Sequence, residues 1–228
     1  MALKLYYDAM SQPSRALLMF IRVNSIPCEE IAVALRKGEH KKEEFKKINP
    51  FQKVPAIDHN GFKLTESVSI LRYLTREFPV KDHWYPKDSK LRARVDEYMA
   101  WQHLNLRMFG SMVFQHKIII PLTKGEPPNE KSVARFEKGL DTVLGQIENI
   151  WLRDNPYIAG KQLSIADLLA ITELEQPGMA AFDVRKGRPK IEEYMARVRN
   201  DLQPHYDEAH SVVRDVTVKF KEVMQAKL

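Results

Sequence analysis

Pro55 stands where a strand should run, and the polar run Thr65-Glu66-Ser67 follows it at the next change of character. Between them Ala56-Ile57 and Phe62-Lys63-Leu64 read as strands joined by Asp58-His59-Asn60-Gly61, whose Asn-Gly pair signals a hairpin. Proline cannot donate to a ladder, so Val54-Pro55 is read as a sheet edge, and a proline held there is a candidate for the cis form. Thr65 is placed to cap a helix whose apolar positions Val68, Leu71, Leu74 and Phe78 recur at three- and four-residue spacing. An edge strand beside a helix N-terminus presents unpaired backbone groups to one place. Those groups suit a peptide-like ligand.

The elements that must hold this stretch are legible on both sides of it. Leu3 and Leu5 alternate with polar neighbours as a strand, and Pro13 opens a helix with Ala16, Leu17, Phe20 and Ile21 in its buried stripe, stopping near Asn24. Cys28–Val33 reads as a second strand and Lys41–Ile48 as a short surface helix. A βαβ unit followed by ββα predicts a thioredoxin-like α/β domain with a mixed four-stranded sheet over residues 1–79. Residues 80–90 carry proline and no periodicity, and they are read as a linker. From residue 91 to 228 the strand signals vanish and an all-α domain is expected.

In that second part Leu91, Val95, Tyr98 and Met99 begin a helix extending past Arg107 towards Lys117, and Pro121–Pro128 is a loop. Val133, Phe136, Leu140, Val143, Leu144, Ile147, Ile150 and Trp151 form the clearest helical stripe. Ser164-Ile165-Ala166-Asp167 is a capping-box variant, so Asp167 is expected to serve folding before chemistry. Pro189 opens a further helix, and Tyr206–Lys227 is amphipathic through Val213, Val216, Phe220 and Val223.

Composition bounds the function. The 228 residues, 44% apolar, are enough for a sizeable core. No apolar run approaches the roughly 20 residues of a membrane span. The N-terminus lacks a signal-peptide pattern and the lone Cys28 excludes an internal disulfide, so a cytoplasmic location is expected. The net charge is +6, but Lys and Arg are spread along the chain without a nucleic-acid motif. Their densest cluster runs from Arg36 to Lys53, with seven Lys or Arg against three Glu, and its field suits a small anion. No nucleic acid, membrane or metal partner is expected.

With these residues in place the chain resembles a cytosolic glutathione transferase of the theta class over nearly its whole length. The match is carried by Ser11 in SQPSRA, His40 in KGEHKKEEF, Lys53-Val54-Pro55-Ala56, Leu64-Thr65-Glu66-Ser67 and Ala93–Tyr98 running on to Trp101-Gln102-His103. The resemblance implies glutathione as cosubstrate, small electrophiles as partners, no cofactor and a homodimer. It places the γ-glutamyl ammonium on Glu66 and its carboxylate on Ser67, the cysteinyl backbone on Val54, and the glycyl carboxylate near His40 and Lys53. Ser11 would donate a hydrogen bond to the thiolate, and Arg107 would add fixed charge. Tyr6 and Tyr7 are rivals for the donor role, since related classes use a tyrosine near this point. Met10, Met108, Ser111, Met112 and Phe114 would wall the electrophile pocket. Theta proteins often carry a longer C-terminal extension, so the Tyr206–Lys227 helix would cover the site only in part.

The plain alternatives remain: Ser11 as a helix cap, Glu66 as a dipole complement, Arg107 as a surface cation, and the methionines as core. A non-catalytic binding protein on the same fold is the rival function. A thiol reductase would want cysteine at position 11, and no CxxC exists.

Overall fold

A computed structural model describes residues 3–225, with side chains described through Val218. Strands β1 (Leu3–Tyr7), β2 (Cys28–Ala32), β3 (Ala56–His59) and β4 (Phe62–Thr65) form one sheet in the order β2-β1-β3-β4. β1 runs parallel to β2 and antiparallel to β3, and β3 is antiparallel to β4. The parallel pair needs a crossover, which helix α1 (Gln12–Val23) supplies. Asn60 and Gly61 have φ of 55° and 89°, the left-handed pair that a tight hairpin requires, and Asp58 Oδ1 accepts from the Gly61 N–H at 2.7 Å. Helix α2 (Glu43–Lys46) is shorter than its periodicity suggested, with a 3₁₀ turn before it, and α3 (Ser67–Glu77) packs Ile70, Leu71 and Leu74 under the sheet.

α1 is buried on every face from Gln12 to Ile21, not on a single stripe, and only its last two residues are half-buried. The sheet domain covers one side and helices of the second domain cover the other, so Ser14 and Arg15 are as buried as Leu17. The segment read as a linker is packed as well. Trp84 is buried edge-on against Phe20, with ring centroids 5.4 Å apart, and the Leu163 carbonyl lies 2.6 Å from His83 Nδ1.

The helical domain comprises α4 (Ser89–Trp101), α5 (Leu106–Phe114), α6 (Ile120–Lys124), α7 (Glu130–Gln146), α8 (Ile165–Glu175), α9 (Pro189–Asp201), α10 (His205–Ala209) and α11 (Ser211–Gln225). The long helix expected past Arg107 is broken at Gln102–Asn105. Asn105 leaves helical geometry, at φ −118° and ψ −102°, and its Nδ2 donates to the Trp101 carbonyl at 2.7 Å. Pro121 is not in a loop but in the first turn of α6, where its missing N–H is harmless, and Gly125 ends that helix at φ 68°. Five-residue π turns follow α5 and α7. A π turn advances the helix face by a residue, and Ile150, expected in the core stripe, is 63% exposed. Leu91 is likewise exposed. The tail is two helices rather than one, and the expected stripe residues Phe220 and Val223, with the end of that helix at Lys227, lie outside the described side chains.

The capping box is present. Asp167 Oδ2 accepts from the Ser164 N–H and hydroxyl at 2.8 and 2.9 Å, and Oδ1 accepts from the Ile158 N–H at 2.8 Å and Tyr194 hydroxyl at 3.1 Å. Burial pushes this carboxyl up to about 6 against the pull of those donors. Asp167→Ala orphans two buried amides, each costing roughly 1–3 kcal/mol. Urea unfolding should show a loss of about 3 kcal/mol; a loss under about 1 kcal/mol would contradict this reading.

α5 and α7 meet closely because Gly139 has no side chain: a Cβ there would lie 2.1 Å from the Phe109 ring. Helix propensity alone makes Gly139→Ala stabilising by about 1 kcal/mol. Overpacking of about 1–3 kcal/mol opposes it. The expected result in thermal unfolding is net destabilisation, and a raised Tm would show that α5 yields freely.

Candidate active site

Ser11 is the N-cap of α1, which begins at Gln12 rather than Pro13. Its backbone is fully engaged: the N–H donates to the Asp8 carbonyl at 2.9 Å and its carbonyl accepts from the Arg15 N–H at 3.1 Å. The Asp8 carboxylate takes the Met10 and Leu35 N–H groups, both at 2.8 Å, tying the loop to the chain after β2. The Ser11 hydroxyl makes no cap bond. The capping alternative therefore does not use this side chain. Tyr6 and Tyr7 sit inside β1, and burial raises both phenols, which makes them poorer proton donors than a free phenol.

β3 is not the edge strand that Pro55 suggested. Ala56 pairs with Tyr6 on one side and Thr65 on the other, so β3 is interior, and Pro55 lies just before its ladder begins. The Val54-Pro55 peptide is cis. Among the described residues no partner takes the Val54 N–H or carbonyl. Lys53 beside it is exposed, with its carbonyl held by Asn49 Nδ2 at 2.6 Å. His40 lies on a 3₁₀ turn (Glu39–Lys41), and its Nδ1 is buried without a partner.

Thr65 does not cap α3, because it remains in β4 opposite Ala56. Glu66 is the N-cap, with φ 67° and ψ 108° and no capping bond from its side chain. A positive φ is costly for a residue with a Cβ, about 1–3 kcal/mol, and such strain gathers at functional sites. It leaves the Glu66 carboxylate exposed beside half-buried Ser67 at the first turn.

Arg107, in the first turn of α5, donates from Nη1 to Glu173 Oε1 at 2.5 Å. Glu173, on α8, is 2% exposed; burial raises its carboxyl, opposed by Arg107 and then Arg15. Arg107 is thus half of an ion pair, not an unpaired surface cation. Met108, Ser111, Met112 and Phe114 continue along α5, all half-buried.

Reading the sequence missed Arg15, Glu173 and Gln176. Arg15 is fully buried and donates to the Ala9 carbonyl (2.7 Å), the Thr172 carbonyl (3.1 Å) and Gln176 Oε1 (2.7 Å). Gln176 Nε2 approaches the Met10 carbonyl at 3.5 Å. Burial lowers the guanidinium to about 10, leaving it cationic at neutral pH. Arg15 lies on the face of α1 opposite the stripe, and the available signal was Leu18 and Met19, apolar residues three and four positions on from it on that same face. A cavity of about 680 Å³, lined by Leu91, Ile150, Trp151 and Lys161 among others, includes none of the candidate site residues.

The Glutathione S-transferase N-terminal domain family matches residues 1–76 and the C-terminal domain family residues 112–201. Glutathione S-transferase theta-1 of Homo sapiens is 44% identical over 93% of this chain and 89% of its own length. Theta-2 of Homo sapiens is 39% identical over 95% and 88%. Apo human glutathione-S-transferase T1-1 superposes with a TM-score of 0.89 at 40% identity, covering 98% of both chains. A human theta-class transferase bound to the glutathione conjugate of 1-menaphthyl sulfate superposes at 0.92, with 37% identity, covering 98% of this chain and 92% of its own. The chain belongs to the glutathione S-transferase family. Within it the likeness is to the theta class, and the chain is a transferase.

Removing Arg107 strands a buried carboxylate. Arg107→Ala should therefore cost about 3 kcal/mol in urea unfolding. Adding Glu173→Gln should recover more than half of that loss. A double variant no more stable than Arg107→Ala would show that the pair contributes through packing alone.

Proposed function

We propose that Ser11 activates glutathione by donating its hydroxyl to the thiolate, and that the thiolate then attacks small electrophiles by halide displacement, epoxide opening or addition. A free thiol titrates near about 8.5, so most of it is protonated at neutral pH and the enzyme must favour the anion. The observation that carries the reading is the Ser11 hydroxyl itself, at the head of α1 with no cap bond to occupy it. The helix's positive end adds to the same preference. Ser11 keeps its proton and acts as a donor. No general base is required of it.

The peptide is assigned to groups that carry no internal duty. Glu66 takes the ammonium, and the Ser67 N–H and hydroxyl take the adjacent carboxylate. The backbone of Val54 pairs with the cysteinyl unit. His40 and Lys53 receive the glycyl carboxylate, both belonging to the basic cluster from Arg36 to Lys53. Arg107 supplies fixed positive charge, tempered by Glu173. Met10, Met108, Ser111, Met112 and Phe114 form an adaptable apolar wall for the electrophile. A human theta-2 structure described as a complex with glutathione supports the choice of cosubstrate. Detoxification is the role assigned, with peroxide reduction as a side activity, in a cytoplasmic homodimer that needs no cofactor.

Ser11→Ala should leave calorimetric affinity for glutathione within about threefold while kcat falls about 100-fold, the usual loss for one preorganised donor. An unchanged kcat would remove Ser11 from the mechanism.

A further inference from the structure

The serine loop is held from the helical domain. Five backbone groups of Ala9, Met10 and Ser11 have partners, and two of those partners come from side chains anchored on the far side of α1. The Ala9 carbonyl accepts from Arg15 Nη1, and the Met10 carbonyl accepts from Gln176 Nε2. Arg15 is itself fixed by the Thr172 carbonyl at the end of α8 and by Gln176 Oε1. Both side chains are almost wholly excluded from water, at 0% and 1% exposure. Glu173 lies between Thr172 and Gln176 in sequence and holds Arg107. One turn of α8 and the 3₁₀ turn after it (Gln176–Ala180) therefore reference both the serine loop and the arginine of α5.

We infer that Arg15 and Gln176 are positioning residues for Ser11: they fix the direction of its hydroxyl by pulling on the two carbonyls that precede it. The inference rests on the assignment of Ser11 as thiolate donor. The physical need is clear. A hydroxyl that donates to a developing or resident anion works only if the donor is already oriented, because reorientation costs part of what the bond contributes. Serine has no aromatic ring to lock it and Ser11 has no cap bond, so its direction is set by the backbone alone. Asp8 holds the N–H side of each of the two peptide groups before it, and Arg15 and Gln176 hold their carbonyl sides, so that losing either side chain leaves one group restrained on one side only. A displacement of about 1 Å in a reacting group can cost up to 100-fold in rate.

Buried arginine also has a purely structural reading, in which it only joins two domains. The two readings differ in what a change does once the serine hydroxyl is gone. Gln176→Met keeps the side-chain volume and removes both of Gln176's bonds, and Arg15→Lys keeps the charge but loses the fork. Ser11→Ala and the double variant Ser11→Ala/Gln176→Met complete a cycle.

In the intact protein, Gln176→Met should lower kcat about 10-fold with KM for glutathione within about twofold, and should raise the pKa read from the pH profile of kcat/KM. In the Ser11→Ala background the same change should alter kcat by less than about twofold, because there is no hydroxyl left to misdirect. Arg15→Lys should repeat the pattern more strongly wherever it folds; Gln176→Met carries the test if it does not. Equal losses in both backgrounds, or a Gln176→Met protein with a lowered Tm but unchanged kcat and pH profile, would overturn the inference and leave a structural clamp. A Ser11→Ala protein with full kcat would instead overturn the assignment on which it rests.

Discussion

Arg15 is a cation with no access to water, and the arrangement of this protein turns on how it is satisfied. An isolated charge in such a place costs many kcal/mol, so its partners must be present before the fold is worth adopting. Those partners come from both domains: the loop after β1 on one side, the end of α8 and its following turn on the other. The sheet domain and the helical domain are therefore fixed to each other at the point where the serine loop enters α1. Glu173, next to Thr172, keeps the cluster from carrying two uncompensated cations by pairing Arg107. Packing reinforces the joint, with Trp84 seated against Phe20 and α1 covered on all sides.

Around that joint the site divides its labour by element. The start of α1 offers a hydroxyl and a positive helix end. The start of α3 offers an exposed carboxylate and free amides, and it does so at the expense of a strained Glu66 backbone. The segment before β3 offers the backbone of Val54, left out of the ladder that β3 makes with both neighbours. On the proposed assignment a zwitterionic peptide would bring an ammonium, a carboxylate, an amide backbone and a thiol to these three segments. The helical domain contributes the apolar face of α5.

What could be read from residue types alone followed the range of the interaction. The Asn60-Gly61 hairpin, the Ser164–Asp167 box and the start of α9 at Pro189 are written in adjacent residues, and all are present. The break before Arg107 was hidden because one Asn105 side chain overrides an otherwise helical pattern. Pro55 pointed to an edge because a proline N–H is missing from any ladder; it sits instead one residue ahead of an interior strand. Arg15 bonds groups 157 and 161 positions away, and no local pattern encodes that. Ser11, Glu66 and Ser67 were named from a short motif, whereas Arg15 and Gln176, whose bonds reach the Ala9 and Met10 carbonyls, required the folded chain.

The hydroxyl of Ser11, directed by the fold, is proposed to stabilise the glutathione thiolate. Ultraviolet difference titration of the thiolate in the complex tests it most directly, comparing wild type with Ser11→Ala at saturating glutathione. In wild type the bound thiol should titrate at least about one unit below the free value near 8.5, and in the variant it should return towards that value. Identical titration curves for the two proteins would contradict it.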